Sequence, residues 1–227
     1  MSVSGMAVMI KEFMEKNRGR KTFLEHEVKG LLKDAGLTVP RGMFIGRDEA
    51  FSAHGLTYPL IAKVSSAAIT SKSDVHGIRA EIKNESDLRK AIFELQEIKN
   101  AQGVLIEESA PQGVEVIVGG VTDRQFGPVV MFGLGGIFVE LFKDVSFGLA
   151  PMTAEEADLL IRQVKGYRLL EGYRGQPPVD IRALIQVIIT VSNFISSGLV
   201  EEIDLNPVAL YPTGAIVLDA KMSVYSL

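Results

Sequence analysis

Hydrophobic residues recur along this chain at two different periods, one typical of helices and the other of strands. The spacing of Leu24, Val28 and Leu31 predicts a helix over residues 21–35. The polar positions of this segment, expected on the other faces of the helix, are Glu25, Lys29 and Lys33. Three further helices are predicted over residues 84–99, 153–166 and 177–197, the second of them opened by a capping box.

Short apolar and β-branched runs between Gly, Pro and Asp turns predict the strands. They cover residues 42–46, 58–64, 78–83, 104–107, 114–119, 128–132, 199–205 and 215–221. This order of elements is typical of a mixed α+β protein. A Rossmann fold and a P-loop are disfavoured, because the sequence has neither a Gly-x-Gly-x-x-Gly fingerprint after an early strand nor a Walker A motif. A change of character after Gly103 divides the chain into an N-terminal extension, residues 1–20, and two lobes, residues 21–103 and 104–227.

The composition narrows the classes of function. With 227 residues, of which 47% are hydrophobic, the chain can bury a sizeable core. A net charge of −4 gives no general attraction to nucleic acid or anionic membranes, so we expect neither as a partner. The absence of cysteine excludes disulfides, thiolate metal sites and a cysteine nucleophile. The N-terminus shows no export signal, and the longest apolar run, residues 129–139, is shorter than the roughly 20 residues of a membrane span, so a cytoplasmic location is expected.

A single lysine, Lys63, interrupts the apolar strand predicted over residues 58–64. Burial of an ammonium group is costly unless an anion meets it. Lys63 is therefore either a phosphate ligand or a strand-end residue whose amine reaches water. The hydroxyl-rich segment that follows, residues 65–77, leaves a similar choice between a phosphate-binding loop and an ordinary surface loop.

Carboxylates and glycines mark the next candidate positions. Glu107 and Glu108 end a predicted strand, where such a pair is usually solvated. Glu115 lies in an alternating strand, where it either accepts ribose hydroxyls or faces water. The run 132–140 contains three closely spaced glycines: Gly133, Gly135 and Gly136. Glycine inside a strand indicates a bulge or a close approach of backbone, and a single tight turn does not explain three of them.

The strongest local pattern is EEIDLNP at residues 201–207, followed by LDAK at residues 218–221. Strand alternation places Glu202, Asp204 and Asn206 on one face, and Asp219 follows on the next strand of a predicted hairpin. Oxygen ligands grouped in this way suit Mg²⁺, which takes one or two carboxylates together with substrate phosphates. The alternative is a solvated face, which the apolar flanking residues and the Asn-Pro pair disfavour.

Together these residues resemble the ATP-grasp part, or beta subunit, of ADP-forming acetate–CoA (acyl-CoA) ligases, and more distantly the beta subunit of succinyl-CoA synthetase. The resemblance covers residues 21–224 and is carried by LLKDAGLTVP, FGPVVMFGLGGIFVELFKDVSF, EIDLNPV and VLDAKM. It implies the ATP-grasp fold, in which two α+β lobes hold the nucleotide between them.

The resemblance also implies a role for each candidate residue. The nucleotide-binding residues would be Lys63 at the phosphates, Glu107 with its neighbour Glu108 at the adenine, Glu115 at the ribose, and Gly133, Gly135 and Gly136 along the backbone. Asn206 and Asp219 would bind Mg²⁺. Asp204 would help to position a phosphohistidine, and Arg79 would approach the transferred phosphate.

The reaction that the resemblance implies is acyl-CoA + ADP + phosphate ⇌ acid + CoA + ATP, with Mg²⁺ and ATP or ADP as cofactors. The phosphoryl group would pass to and from a histidine on a CoA-binding alpha subunit, so a hetero-oligomer is expected. Two alternatives stay open. One is a nucleotide-binding regulatory or scaffold subunit without the relay, and the other is an ATP-grasp ligase with another acceptor, such as an amine.

One segment departs from the family pattern. Members of the family read His-Lys-Ser-Asp-Val-Gly-Gly in the polar loop, where the histidine is a second phosphate carrier. Here residues 71–77 read SKSDVHG, so Ser71 stands at the histidine position and His76 replaces the first glycine. Serine does not carry phosphate reversibly near neutral pH as imidazole does. Either His76 takes over that role, or the relay is altered or lost.

Overall fold

The computed structural model describes residues 1–51, 55–69, 71–136 and 143–226. These residues form two compact units, each with its own sheet and hydrophobic core. The small unit comprises Leu24–Glu27 and Pro40–Pro111. The large unit comprises Met1–Phe23, Val28–Val39 and the chain from Gln112 onwards.

The elements follow in chain order. The helices are α1 (Val3–Lys16), α2 (Glu25–Asp34), α3 (Glu85–Gln96), α4 (Ala154–Arg162) and α5 (Ile181–Ser196). The strands are β1 (Gly42–Gly46), β2 (Leu60–Ser65), β3 (Ile78–Ile82), β4 (Gly103–Glu108), β5 (Val114–Asp123), β6 (Gly127–Leu134), β7 (Val145–Leu149), β8 (Val200–Leu210), β9 (Ala215–Val217) and β10 (Ala220–Val224). No helix within the described ranges has both the length and the apolar character needed to cross a bilayer.

The small unit is an antiparallel sheet of four strands in the order β1-β4-β2-β3. Helix α3 packs on it through Leu88, Ile92 and Leu95, the apolar face expected from the sequence. Because β4 pairs with both β1 and β2, this unit extends to Pro111. The boundary expected at residue 103 therefore falls inside the small unit, at the start of a central strand.

The large unit is built on a sheet in the order β10-β8-β5-β6-β7, with β9 also paired to β8. Helix α5 is apolar on most of its surface and packs against β5, β6 and β8. Its buried side chains include Leu184, Ile188 and Phe194, none of them exposed to solvent. One face of the large sheet is thus covered by helix.

The first residues form a helix that belongs to the core of the large unit, and they are not merely an extension. In α1, Met6, Ile10 and Met14 are buried, and the helix packs on α5. These three residues recur at every fourth position, which is the spacing of one helical face. The sequence therefore contained the signal for this helix.

Two helices start later than expected because side chains cap their backbone N–H groups. The predicted start at residue 21 moves to Glu25, since the Glu27 carboxylate accepts the Leu24 N–H at 2.7 Å. The predicted start at residue 177 moves to Ile181, since Asp180 Oδ1 accepts the Ala183 N–H at 3.0 Å. The capping box that opens α4 is confirmed.

The strands near the C-terminus differ most from the prediction. Strand β7 was not predicted, and the last predicted strand is divided into β9 and β10, with Leu218 and Asp219 between them. Strand β8 continues past Asn206-Pro207 to Leu210, because a bulge opposite β5 removes the need for an N–H at the proline. His54 and residues 137–140 of the glycine-rich block lie outside the described residues.

Candidate functional site

Lys63 lies in a buried group of charges that we call the lysine–glutamate cluster: Glu25, Lys63, Lys72 and Glu107. Lys63 Nζ is 2.8 Å from both Glu25 Oε1 and Glu107 Oε2, and Lys72 Nζ is 2.9 Å from Glu25 Oε2. All four side chains are at most 11% exposed. The ammonium of Lys63 therefore meets carboxylates and does not reach water, which contradicts the strand-end interpretation of this residue.

Sheet register explains how Lys63 and Glu107 meet. Lys63 on β2 is opposite Leu105 on β4, and Glu107 is opposite Ile61. Diagonal neighbours on one face of an antiparallel pair are within reach of long side chains. Glu25, the first residue of α2, completes the cluster from outside the sheet.

Glu25 and Lys29 are buried, although both were expected on polar faces of the first predicted helix. A periodicity argument missed them because it assigns each charge to solvent by default. Each has a buried partner instead: Glu25 pairs with two lysines, and Lys29 Nζ donates to Leu218 O at 2.7 Å. Lys29 thereby supports the backbone next to Asp219 in the large unit.

Glu107 and Glu108 point to different partners, as neighbours on a strand must. Glu108 Oε1 accepts the backbone N–H of Thr57 at 2.8 Å and lies 3.5 Å from a guanidinium nitrogen of Arg41. Glu107 belongs to the lysine–glutamate cluster. The structure thus separates these two carboxylates.

Residues 72–77 form a closed turn beside β2, which we call the His76 turn. The Gly77 N–H donates to Lys72 O at 2.7 Å, and the Val64 N–H donates to Gly77 O at 2.7 Å. A Cβ on Gly77 would collide with the Val64 side chain, so this position requires glycine. His76 itself is exposed and has a φ of +50°.

Arg79 and His76 lie together at the end of this turn. Arg79 Nη1 donates to His76 O at 2.6 Å, and Arg79 Nε lies 2.9 Å from Glu94 Oε2. Sequence spacing alone did not show this contact. The backbone of His76, the candidate phosphate carrier, is therefore hydrogen-bonded to Arg79, the candidate phosphate-binding arginine.

In the large unit, the β8 bulge brings Asn206 next to the connection between β9 and β10. The Asn206 N–H donates to Asp219 O at 3.2 Å, and the Leu218 N–H donates to Pro207 O at 2.9 Å. The expected hairpin is thus present, although Asp219 occupies the break between two strands. The backbones of both candidate metal ligands are joined in this way.

Asp204 occupies the same strand, alternating with the buried residues Ile203 and Leu205. Burial raises the pKa of its carboxyl, and the nearby charges of Asp219 and Glu202 act in the same direction, while Lys221 opposes them. Asp204 also lines a largely apolar cavity of about 150 Å³. The carboxylate is therefore held in a poorly solvated environment.

Glu115 and the glycines meet where β5 and β6 come together. The Gly135 N–H donates to Glu115 O at 2.8 Å, and a Cβ on Gly135 would lie 2.8 Å from that same oxygen. Gly136 has a φ of +62°, while Gly133 pairs with Ile117 inside the sheet. The expected close approach of backbone is confirmed at Gly135. Burial raises the pKa of Tyr211, and the negative charge of Glu115 raises it further.

The donor set suits a metal that relies on its substrate for ligands. Among the described residues, no three His, Cys, Asp or Glu side chains are grouped so that they could hold a metal by themselves. Asn206 and Asp219 offer one amide oxygen and one carboxylate in adjoining segments. Mg²⁺ is commonly bound by one or two carboxylates plus phosphates and water, so these residues fit it.

Comparison with known proteins places this fold and this arrangement in a family. The ATP-grasp domain family matches residues 15–224. The beta subunit of acetate–CoA ligase [ADP-forming] I of Pyrococcus furiosus is 41% identical over 223 residues, covering 93% of this chain and 96% of that protein. Acetate–CoA ligase [ADP-forming] II of Archaeoglobus fulgidus is 41% identical over 203 residues, but this chain spans only 30% of its length.

A solved structure agrees with these sequence matches. It is the dinucleotide-forming acetyl-coenzyme A synthetase 1 of Ca. Korarchaeum cryptofilum with coenzyme A and Mg-AMPPCP, its phosphohistidine segment pointing towards the nucleotide binding site. It superposes with a TM-score of 0.79 at 39% identity, over 97% of this chain and all of that one. The chain described here belongs to the ATP-grasp family, and within it to the beta subunits of ADP-forming acetate–CoA ligases.

Proposed function

We propose that this chain is the nucleotide-binding subunit of an ADP-forming acid–CoA ligase, which catalyses acyl-CoA + ADP + phosphate ⇌ acid + CoA + ATP. The observation that carries the proposal is the 41% identity to the P. furiosus beta subunit, 96% of whose length is matched by this chain. The buried lysine–glutamate cluster supports it, because a sheet lysine held among carboxylates is poised to exchange one anionic partner for another.

In this proposal Lys63 and Arg79 contact the phosphates, and other residues bind the metal ion. Lys63 supplies an ammonium to the nucleotide phosphates, and Glu107 lies beside it at the adenine end of the site. Arg79, fixed by Glu94, faces the phosphoryl group in transfer. Phosphoryl transfer needs positioning and charge neutralisation more than covalent help, and these residues provide both.

Asn206 and Asp219 are the proposed Mg²⁺ ligands, and Glu115 the ribose ligand. When bound, the metal ion neutralises phosphate charge. The absence of a Cβ at Gly135 allows the backbone to lie close to Glu115. Glu108, held by Thr57 and Arg41, contributes by shaping the nearby strand end.

A CoA-binding alpha subunit is the proposed partner, in a hetero-oligomer. The A. fulgidus relative, of which this chain spans 30%, has room for such a part within one polypeptide. A histidine of the partner would receive the γ-phosphoryl group, forming a P–N bond as the bond to the β-phosphate oxygen breaks and ADP leaves. Asp204, poorly solvated and bearing a raised pKa, would accept a hydrogen bond from that imidazole.

The test is phosphoryl transfer from γ-labelled Mg·ATP, with and without the co-purified partner subunit. Label would be located by mass spectrometry under conditions that preserve phosphohistidine. We expect label on a partner histidine, and Asp219→Ala should reduce its formation at least 100-fold. Full transfer by Asp219→Ala would refute the metal assignment. The control is Glu201→Gln, a substitution of an exposed residue next to the first residue of β8.

Ser71 favours a second candidate function, a nucleotide-binding regulatory or scaffold subunit without a relay. This candidate predicts that the chain binds Mg·ADP and its partner but never transfers phosphate. An ATP-grasp ligase with an amine acceptor is separated from both by amine-dependent ADP release without CoA. Label found on His76 would instead favour the ligase with a relocated loop carrier.

A further inference from the structure

Glu25 is a buried carboxylate whose contact with Lys72 has no role in the functions proposed above. Its two oxygens contact two different lysines: Oε1 lies 2.8 Å from Lys63 Nζ, and Oε2 lies 2.9 Å from Lys72 Nζ. Its side chain is only 4% exposed. Opposite charges at these distances attract one another more strongly in a buried site than the same pairs would in water.

Lys72 transmits this anchor to the backbone of the His76 turn. Its carbonyl accepts the Gly77 N–H at 2.7 Å, and the carbonyl of Gly77 accepts the Val64 N–H from β2. The turn is thus fixed at one end by the sheet and at the other by the Lys72 side chain. Loss of the ion pair to Glu25 would leave the Lys72 end less firmly held than the sheet end.

The residue presented by this turn has an uncommon backbone conformation. His76 has a φ of +50°, a region that non-glycine residues rarely adopt and that persists where the surrounding structure enforces it. Its carbonyl accepts from Arg79 Nη1 at 2.6 Å, so the position of Arg79 depends on the same turn. The positions of His76 and Arg79 therefore both depend on the ion pair between Glu25 and Lys72.

We propose that Glu25 is a positioning residue that acts through Lys72 to fix the turn presenting His76 and Arg79. This inference rests on the proposed function, in which Arg79 faces the transferred phosphoryl group and His76 is the candidate replacement for the missing loop histidine. Glu25 itself touches neither nucleotide nor phosphoryl group in this proposal. Its effect on the reaction is carried by the geometry of the turn.

The first test measures the turn directly, without any activity. Amide hydrogen exchange of the isolated chain is compared for the native protein, Lys72→Met and Glu25→Gln, with Lys83→Met as an exposed control of the same residue type. We expect exchange at Gly77 to be at least tenfold faster in both cluster variants, while amides of β4 stay protected. Native exchange at Gly77 in Lys72→Met, the variant less able to disturb folding, would overturn the proposal.

The second test separates positioning from phosphate binding. With the partner subunit present, Lys72→Met should lower the rate of phosphoryl transfer at least tenfold while changing the Kd for Mg·ATP less than threefold, and Glu25→Asp should recover part of the rate lost in Glu25→Gln. A large loss of Mg·ATP affinity in Lys72→Met would make Lys72 a ligand and refute the positioning role. If the native complex transfers no phosphate, the proposed function fails, but the exchange result still decides whether Glu25 fixes the turn.

Discussion

The ammonium of Lys63 lies between two carboxylates whose side chains are almost completely buried. Burial removes the water that would otherwise stabilise each charge, so every member of the group depends on the others. Lys63 forms ion pairs with both Glu25 and Glu107, so removing its ammonium leaves both carboxylates without that cation. Lys72 also forms an ion pair with Glu25. The energetic effect of a substitution at Lys63 is therefore large.

Lys63→Met should lower the free energy of unfolding by about 3–5 kcal/mol, because it removes the cation that contacts two buried carboxylates. Urea unfolding at neutral pH measures this change. Lys83→Met is the matched control: its side chain is 72% exposed and 3.8 Å from Glu81, so the change should stay within about 0.5 kcal/mol. Equal losses in the two variants would show that the Lys63 cluster does not stabilise the fold.

Asp204 should make the stability of the protein depend on pH in the opposite direction to most carboxylates. Its pKa in the folded chain is raised above the unfolded value, mainly by burial, so between the two values the folded state binds more protons. The free energy of unfolding therefore falls as pH rises through that window, which begins near pH 4, and stays lower above it.

Asp204→Asn removes this effect, so the variant should be more stable than the native chain at pH 7. The difference should shrink as pH is lowered towards 4, because the carboxyl is then increasingly protonated in the unfolded chain as well as in the folded one. Urea midpoints at pH 7, 5 and 4 provide the measurement, with Glu201→Gln as an exposed control on the same strand. A native chain more stable than Asp204→Asn at pH 7 would contradict the assigned direction.

At the scale of elements, the end of β6 depends on the absence of one side chain. A Cβ on Gly135 would lie 2.8–3.0 Å from backbone and side-chain atoms of Glu115, which cannot move without shifting β5. Gly135→Ala should therefore destabilise the chain by about 1–3 kcal/mol and weaken Mg·ADP binding as Glu115 is displaced. Thermal unfolding and titration calorimetry measure the two effects.

Gly30→Ala provides the control for that substitution. Gly30 lies exposed in α2, and a Cβ added there would have no atom within 4 Å, so alanine should raise stability by about 0.5–1 kcal/mol through helix propensity. Opposite signs at the two glycines are expected. A neutral Gly135→Ala would mean that β5 adapts freely at Glu115.

The elements that sequence periodicity could predict are those whose apolar face is regular. Helix α3 and the capping box of α4 follow from local spacing and local hydrogen bonds. The bulge at Asn206-Pro207 arises where β8 pairs with β5, a strand that is distant from it in sequence. Local patterns carry no information about such register shifts.

The candidate site shows the same limit. Lys63 was identifiable because a charge in an apolar strand is conspicuous, whereas Glu25 and Lys72 were not, because a charge on a helix or in a polar loop is ordinary. Only the folded chain shows that these residues surround Lys63. Tertiary contacts, and not residue type, decide which charges in this protein are buried.

At the scale of the whole molecule, binding of Mg·nucleotide should stabilise the folded chain by mass action. A ligand at about 100 times its Kd adds about 2.7 kcal/mol. For a chain of this size that corresponds to a rise in Tm of roughly 5–10 °C. Thermal unfolding with Mg·ADP, with ADP plus EDTA and with Mg²⁺ alone measures the effect, which should be confined to the first condition. An equal rise with ADP plus EDTA would exclude a metal-dependent site.

The lysine–glutamate cluster contains two positive and two negative side chains, so its charges sum to zero. An anion without a counter-ion, such as free phosphate, can bind a lysine of this cluster only by breaking one of its ion pairs with Glu25 or Glu107. A nucleotide that arrives with Mg²⁺ brings its own counter-charge, and so disturbs this balance less. In the proposed reaction we therefore expect the cluster to favour metal-bound nucleotide over free inorganic anions.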